Sequence, residues 1–284
     1  MLKGKVGIII LNHNKNKEII SIYKQLESQT YKNFILIIID DNSDSKIFLD
    51  QLNHDNIFIY SYPEKFEFGL VKKYNFALKK ALENQSEYIF VLQSDMDISE
   101  CPNLIERLVN HLESNQKCVV AGPIMYNGNN EMTWGPNIFK NRMGHLFNVS
   151  ESFLIRSNYL LKHGLWNDLF IYYGEEMEFF LKIYKLGFTT EIVNNTKVIH
   201  YGGGTTYKFQ NEKDYHRPRS SILIMRMFNK NDNLLKKIKF LNEELYEQKY
   251  KLRQNLKKGN FIKILRTIFY LIRGTIEGLF IKIK

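Results

Sequence analysis

Short apolar runs separated by amphipathic stretches organise roughly the first 120 residues of the chain. Val6–Leu11, Phe34–Ile39, Ile57–Tyr60, Tyr88–Leu92 and Cys118–Gly122 are dense in Ile, Val and Phe. Their length and β-branched content predict strands, and their near-continuous apolar character predicts burial on both faces. Between them, Lys17–Ser28, Leu70–Asn84 and Asn103–Asn115 repeat apolar residues at helical spacing. Such alternation predicts an α/β architecture whose parallel sheet is covered by helices. Polar clusters follow two of the strands, Asp40-Asp41-Asn42-Ser43 and Gln93-Ser94-Asp95-Met96-Asp97. An open α/β sheet places its ligands at such strand ends.

From Gly122 to Phe147 the pattern turns irregular, rich in Asn and Gly, with Trp134-Gly135-Pro136 at its middle. Long loops of this kind are more often functional than not. Helical spacing returns at Arg156–His163 and Glu175–Leu186, followed by strand-like Glu191–Val193 and Lys197–His200 and the run Gly202–Gly204. Further on, Leu234, Ile238, Leu241, Leu245, Leu252 and Leu256 fall near a heptad spacing that Gln248 and Lys249 interrupt. After Gly259 one stripe joins Phe261, Leu265, Ile268, Ile272, Ile276, Leu279 and Ile283, with Lys263, Arg266, Arg273 and Lys282 mostly off it. A basic amphipathic helix of this form suits a membrane surface. It also suits packing on the protein's own core or pairing with a second chain as a homodimer. The expected division is a domain over 1–230 and a basic helical extension over 231–284.

Composition narrows the class. At 284 residues, with 44% hydrophobic and 14% aromatic content, the chain has ample material for a core. Cys101 and Cys118 lack metal-type spacing and form no disulfide framework, which suits a reducing compartment. The first apolar run is too short for a secretion signal, and no uncharged run reaches the length of a bilayer crossing. The expectation is a cytoplasmic protein, peripheral on the inner face of the cell membrane. The net charge of +10 is concentrated between Asn233 and Lys284, so nucleic acid is not the expected partner.

Each polar cluster has a chemical reading and a plainer one. Asp95 and Asp97 suit a divalent cation, because two close carboxylates resist joint ionisation without positive charge; such a motif is common by chance, and its plainer reading is a solvated turn capping the helix that starts near Pro102. Asp40 to Ser43 are also ordinary turn and capping residues. Glu175, Glu176 and Glu178 open a helix after Tyr172-Tyr173, where acids complement the helix dipole. An aromatic surround also raises a carboxylate toward the range of a general base. His200 ends a strand, as a structural residue or as a metal ligand.

In order and spacing these clusters resemble the inverting family-2 glycosyltransferases, which have a GT-A fold: a Rossmann-like, mostly parallel sheet flanked by helices. Here a C-terminal helical extension would follow it. The likeness runs from Val6 to about Tyr207. Ser28-Gln29-Thr30-Tyr31 resembles that family's helix end, and Ile39-Asp40-Asp41-Asn42-Ser43 its V-D-D-x-S. The resemblance implies that Asp41 binds the nucleotide base, with His13 and Leu11 beside it. Gly69 and Asn75 match a G-x-x-x-x-x-N segment, with Lys72 and Lys73 set for phosphates. Phe90 to Asp95 resembles the metal motif, implying Asp95 as ligand with Ser94 on the donor; Gln93 stands where relatives carry the first acid, and Asp97 lies just beyond. Gly174-Glu175-Glu176-Met177-Glu178 resembles G-E-D-x-D, which makes Glu176 the implied catalytic base, with Glu in place of the usual Asp. Trp134, Tyr173 and Glu175 fall on the acceptor side. Val198 to Gly203 resembles V-x-H-x-G-G, whose histidine, here His200, ligates metal in some members. Arg217 to Arg226 and Arg273-Gly274…Gly278-Leu279-Phe280 resemble a rhamnosyltransferase-like subgroup.

The implied activity is transfer of a sugar from a UDP- or dTDP-sugar, with Mn²⁺ or Mg²⁺, to a hydroxyl of a cell-surface glycan or lipid-linked acceptor. The first loop, Leu11-Asn12-His13-Asn14-Lys15, lacks the glycine-rich grip of a nucleotidyltransferase and the G-x-G-x-x-G of a dinucleotide enzyme. The alternative from another class is a catalytically weak or inactive basic protein binding membrane or RNA on the same fold.

Overall fold

The computed structural model describes residues 4–44, 52, 54–63, 69–136, 151–202, 210–228 and 231–283. The chain divides into two compact units: Met1–Glu67 with Lys72–Trp166 and Lys182–Gly202, and Phe68–Val71 with Asn167–Leu181 and Gly203–Lys284.

In chain order the elements up to the hairpin are β1 (Val6–Asn12), α1 (Asn16–Glu27), β2 (Phe34–Asp40), β3 (Ile57–Ser61), α2 (Val71–Glu83), β4 (Tyr88–Val91), β5 (Met96–Asp97), α3 (Leu104–Ser114), β6 (Cys118–Gly122), β7 (Met125–Asn127) and β8 (Met132–Trp134). Then come β9 (Phe153–Arg156), α4 (Ser157–His163), α5 (Glu175–Lys185), β10 (Thr189–Ile192) and β11 (Val198–His200). Seven strands form the main sheet in the order β10-β6-β9-β4-β1-β2-β3. The pairs β1–β2, β2–β3, β1–β4 and β6–β10 are parallel. Every residue of β2 and β4 is buried, which is why both read as unbroken apolar runs. Helix α1 turns Ile19, Ile22, Tyr23 and Leu26 inward, and α3 does the same with Leu104, Ile105, Leu108, Val109 and Leu112. Each such side chain contributes about 1.5–3 kcal/mol on full burial.

The Gln29-Thr30-Tyr31 segment serves the fold. Gln29 is fully buried, donates to the Cys101 carbonyl at 2.9 Å and accepts from the Ile105 amide at 3.3 Å. The Thr30 amide donates to the Pro102 carbonyl at 2.7 Å. This clamps the end of α1 onto the start of α3. The Tyr31 hydroxyl donates to the Gly4 carbonyl, and burial pushes its pKa up to about 12.

Two features depart from the expected pattern. Strand β9 lies antiparallel between β4 and β6; four apolar residues abutting a helix carry no period of their own. The region from Gly122 is no simple loop, since β7 and β8 form a hairpin in a second sheet ordered β5-β11-β7-β8. Its turn closes when the Asn127 amide donates to the Glu131 carbonyl at 2.9 Å and the Glu131 amide donates to the Asn127 side chain, also at 2.9 Å. The rest of the expected loop, 137–147, lies outside the described residues, as do Gly203, Gly204 and Tyr207.

The second unit holds α5 as far as Leu181 and the helices α6 (Gln210–Phe228), α7 (Leu234–Glu244), α8 (Tyr246–Lys257) and α9 (Phe261–Phe280). The expected boundary after residue 230 falls inside it, because α9 packs on α6. A Cβ on Gly274 would stand 2.0 Å from the Tyr215 carbonyl oxygen, and one on Gly278 2.7 Å from that of Arg219. Only glycine permits that approach. The Arg219 guanidinium donates to Glu277 at 2.6 Å, and Thr267 donates to the buried Asp214 at 3.2 Å. Arg226 donates to the carbonyls of Gly278 and Ile281 at 2.7 and 2.8 Å, capping the end of α9. The Gly274…Gly278 spacing is thus a packing device. Core packing through the apolar stripe is not observed: Thr267, Gly274 and Gly278 are buried, while Leu265, Ile272 and Ile276 are exposed. The heptad-like run is two helices, broken at Leu245.

Candidate active site

In the main sheet β2 and β3 lie to one side of β1 and β4 to the other. The chain direction across the sheet therefore reverses between β1 and β4, and the carboxyl ends at such a reversal are where an open α/β sheet places its ligand. The loops that follow β1, β2 and β4 carry Asn12 to Lys15, Asp40 to Ser43 and Gln93 to Asp95.

Asp40, fully buried, is a structural residue. It accepts from the Asn12 amide at 2.9 Å and from the Ser43 backbone at 3.3 Å. Asn12 also donates to Ser43 and Asn16 at 3.2 Å each, and accepts from the Lys15 backbone at 3.1 Å. Asn14 and Asn42 take left-handed backbone conformations, φ 57° and 55°, which asparagine tolerates better than most residues. The His13 ring donates from Nδ1 to the Asp41 carbonyl at 2.7 Å, so its proton sits on that nitrogen. Leu11, half-buried, precedes this loop and pairs with Ile39.

The Asp41 carboxylate accepts from Lys73 at 2.5 Å, and both side chains are more than nine-tenths buried. Lys73 is thus committed to Asp41, whereas the resemblance implies a phosphate contact; Lys72 next to it is exposed. Removing one partner strands a buried charge. Lys73→Met is expected to lower unfolding free energy by about 3–5 kcal/mol, measured by urea denaturation. Asn75, implied as a donor contact, also clamps the fold. Its amide donates to the Trp166 carbonyl at 2.9 Å and accepts from the Trp166 amide at 3.0 Å. A side chain engaged at both ends by the backbone of one residue fixes chain geometry.

Asp95 and His200 come together, with Oδ2 and Nε2 3.2 Å apart. The antiparallel pairing of β11 with β5, His200 opposite Met96, causes this, aided by the Tyr201 amide donating to the Asp95 carbonyl at 3.2 Å. Burial pushes the Asp95 carboxyl up, but the hydrogen bond and charge of His200, with a pull from Lys15, leave it below its ordinary value. That same bond raises His200 against the opposing effect of burial. Ser94, half-buried, precedes Asp95. Asp97 is directed elsewhere, accepting from the Ser99 amide at 2.8 Å and the Tyr201 hydroxyl at 3.2 Å. It holds its own turn, so of the three residues expected at a cation the structure brings Asp95 and His200 together and turns Asp97 toward Ser99 and Tyr201.

Glu151 is a neighbour that the sequence reading missed. Its carboxylate stands 3.7 Å from His200 Nδ1 and accepts from Gln93 at 3.4 Å. It lies 58 residues from Gln93 with no motif around it, so only the fold reveals it. Gln93, where relatives place an acid, thus has a carboxylate beside it. A separate cluster of His111, Cys118 and Glu191 has ligand-type atoms within 4.8 Å of one another. Glu191 is already engaged by His111 and Asn115 at 2.9 Å and by Thr189 at 2.7 Å, which ties α3 to the sheet edge.

Trp134, on the acceptor side by resemblance, packs half-buried against the hydrophobic core beside Met125. In the second unit, Tyr173 and Gly174 both take left-handed conformations, φ 63° and 81°. A Cβ on Gly174 would meet that of Ser220 at 2.9 Å. The two residues turn the chain sharply into α5, so that Glu175 and Glu178 are buried and Glu176 half-buried. The Arg217 guanidinium lies 4.7 Å from the centre of the Tyr173 ring.

This architecture is that of a GT-A glycosyltransferase: a mostly parallel sheet, carboxylates beyond its strand ends and a smaller mixed sheet carrying His200. The chain matches the family described as glycosyl transferase family 2 over residues 7–175, and it belongs to that family of enzymes. The membership decides for an enzyme over the basic binding module that composition left open. Among solved structures, TarS of S. aureus, residues 1–349, aligns with a TM-score of 0.60 at 18% identity, over 94% of this chain and 81% of that one. TarS in complex with UDP-GlcNAc has the same score and identity over 85% and 71%. The mannosyltransferase PcManGT from Pyrobaculum calidifontis, in complex with GDP-Man and Mn²⁺, aligns with a TM-score of 0.60 at 12% identity, over 98% and 88%. No curated protein matches the chain.

Proposed function

We propose that this enzyme moves a sugar, with inversion, from a nucleoside-diphosphate sugar to an acceptor hydroxyl, assisted by a divalent cation. The observation that carries the reading is the Asp95–His200 pair, beyond the sheet at its reversal point and on the opposite side of β1 from Asp41. The structurally similar TarS and PcManGT, in complexes with UDP-GlcNAc and with GDP-Man and Mn²⁺, support a nucleotide-sugar donor.

The residues fit a cation. Adjacent ligands of an octahedral Mg²⁺ or Mn²⁺ stand about 3 Å apart, and Asp95 and His200 are 3.2 Å apart with one oxygen and one nitrogen donor. They would hold the cation in place of the proton they now share. Glu151, beside His200 Nδ1, would orient the imidazole as carboxylates commonly do behind metal-bound histidines. When bound, the cation supplies positive charge against the diphosphate oxygens.

Asp41 and His13 seat the nucleotide base, and Lys72 and Lys15 lend positive charge to the phosphates. Glu176 is assigned as general base from its place in the Gly174-Glu175-Glu176 motif. It takes the proton of the acceptor hydroxyl as that oxygen bonds to the anomeric carbon. The bond from that carbon to the diphosphate breaks on the opposite side, and the nucleoside diphosphate leaves with the electron pair. A cell-surface glycan or lipid-linked acceptor, and a rhamnosyl donor such as dTDP-rhamnose, are the classes to test first.

A donor panel scored by released nucleoside diphosphate tests the reading. One or more donors are expected to turn over with Mn²⁺ or Mg²⁺, and chelation should stop the reaction. Turnover indifferent to chelator would remove the cation; silence across UDP-, dTDP- and GDP-sugars with acceptors present would count against the donor class.

A further inference from the structure

Helix α9 has two unlike faces. At 100° per residue, Thr267, Gly274 and Gly278 fall on one side, and these are its buried residues. Opposite them, nine large apolar side chains are exposed, among them Phe261 (67%), Leu265 (69%), Phe269 (59%), Ile272 (55%), Ile276 (52%) and Phe280 (78%). They occupy an arc of about 120° that holds no charged or polar residue. A shallow groove of about 350 Å³ opens along it between Phe269, Ile272, Arg273, Ile276 and Glu277. The helix is fastened to its unit by its small residues and presents its large ones to solvent.

Charge identifies what covers this face. Arg266 and Arg273 lie along one border of the arc, and Lys263 lies behind them. The Arg273 guanidinium stands 5.1 Å from the centre of the Tyr215 ring, which supports it at the border. Glu277, the acid on this helix, is bonded to Arg219. Residues 231–284 contain thirteen Lys and Arg against five Asp and Glu, and so hold most of the net charge of +10. A second copy docking through this face would bring two such basic segments together. An anionic lipid leaflet offers an apolar interior and compensating charge. None of the described helices is long and apolar enough to cross a membrane, so the fitting geometry is a helix lying in the interface plane.

We infer that α9 docks this enzyme onto an anionic lipid surface, its Phe261–Phe280 face sunk below the headgroups and its arginines at phosphate level. The inference rests on the second unit alone and is independent of the catalytic assignment.

Vesicle flotation tests it with the full chain. Binding is expected to vesicles containing phosphatidylglycerol, weaker to pure phosphatidylcholine, and falling as salt rises. The double variant Leu265→Glu, Ile272→Glu should lose about tenfold or more in partitioning, and Arg266→Gln about fivefold. Because these side chains are exposed, thermal unfolding and nucleoside diphosphate release without lipid should be unchanged. Absent binding by the parent chain, or equal binding by parent and double variant, would overturn the inference. So would a parent dimer in analytical ultracentrifugation that the double variant dissolves. Should the double variant fail to fold, the salt dependence and Arg266→Gln still decide.

Discussion

Turnover in Glu176→Gln is expected to fall by about two to four orders of magnitude, with donor affinity changed by no more than about twofold. Glutamine keeps the size and shape of the side chain but has no lone pair basic enough to take the acceptor proton. Because Glu176 is the second residue of α5, one beyond the residue that follows the Tyr173-Gly174 turn, an isosteric replacement leaves that turn intact. The distinguishing signature is the pH–rate profile. A carboxylate base must be ionised, so activity rises with pH along an acid limb, and that limb should vanish in the variant. Stopped-flow turnover with calorimetry of donor binding separates the two effects. Near-normal turnover in the variant would take the proton-accepting role away from this residue.

Asp95→Ala should abolish cation-dependent donor binding, and His200→Ala should weaken it by about ten- to a hundredfold. The two substitutions differ because Asp95 contributes a negative charge to the pair and His200 none. Asp97→Ala is the informative control. Its oxygens serve Ser99 and Tyr201, so donor binding should persist although that turn loosens. Isothermal titration with Mn²⁺ and nucleoside diphosphate reads all three. If Asp95→Ala still titrates like the parent while Asp97→Ala does not, the ligand assignment moves two residues along the chain.

The sheet was legible because its strands are apolar on both faces. Phe34–Asp40 and Cys118–Gly122 stand out against amphipathic helices, and their observed limits lie within a residue of those read from the pattern. The short strands were harder. Phe153–Arg156 pairs through the backbone with partners over 30 residues away, and four residues establish no period. Around the site, identity was readable and commitment was not. The motif picks out Lys73 and Asn75, but whether a lysine faces a ligand or Asp41 depends on the burial that surrounds it. Glu151 carries no local signal at all, because its meaning comes from His200 and Gln93. The stripe on α9 was legible as amphipathic, yet its inward contacts are made by Thr267 and two glycines, residues that hydrophobic patterns pass over.

The Asn12 side chain has a consequence for ligand capture. One amide joins the end of the first strand to Asp40 and Ser43. Asn14 adds a reciprocal pair with Asp44, at 3.0 and 2.8 Å. The two loops bearing His13 and Asp41 are therefore a single riveted body, ordered when the chain folds. On the proposed assignment of these loops, an incoming nucleotide meets a preorganised surface and has little loop entropy left to quench. Cutting the rivet with Asn12→Ala would leave the contacting groups in place, yet slow their assembly around each arriving molecule.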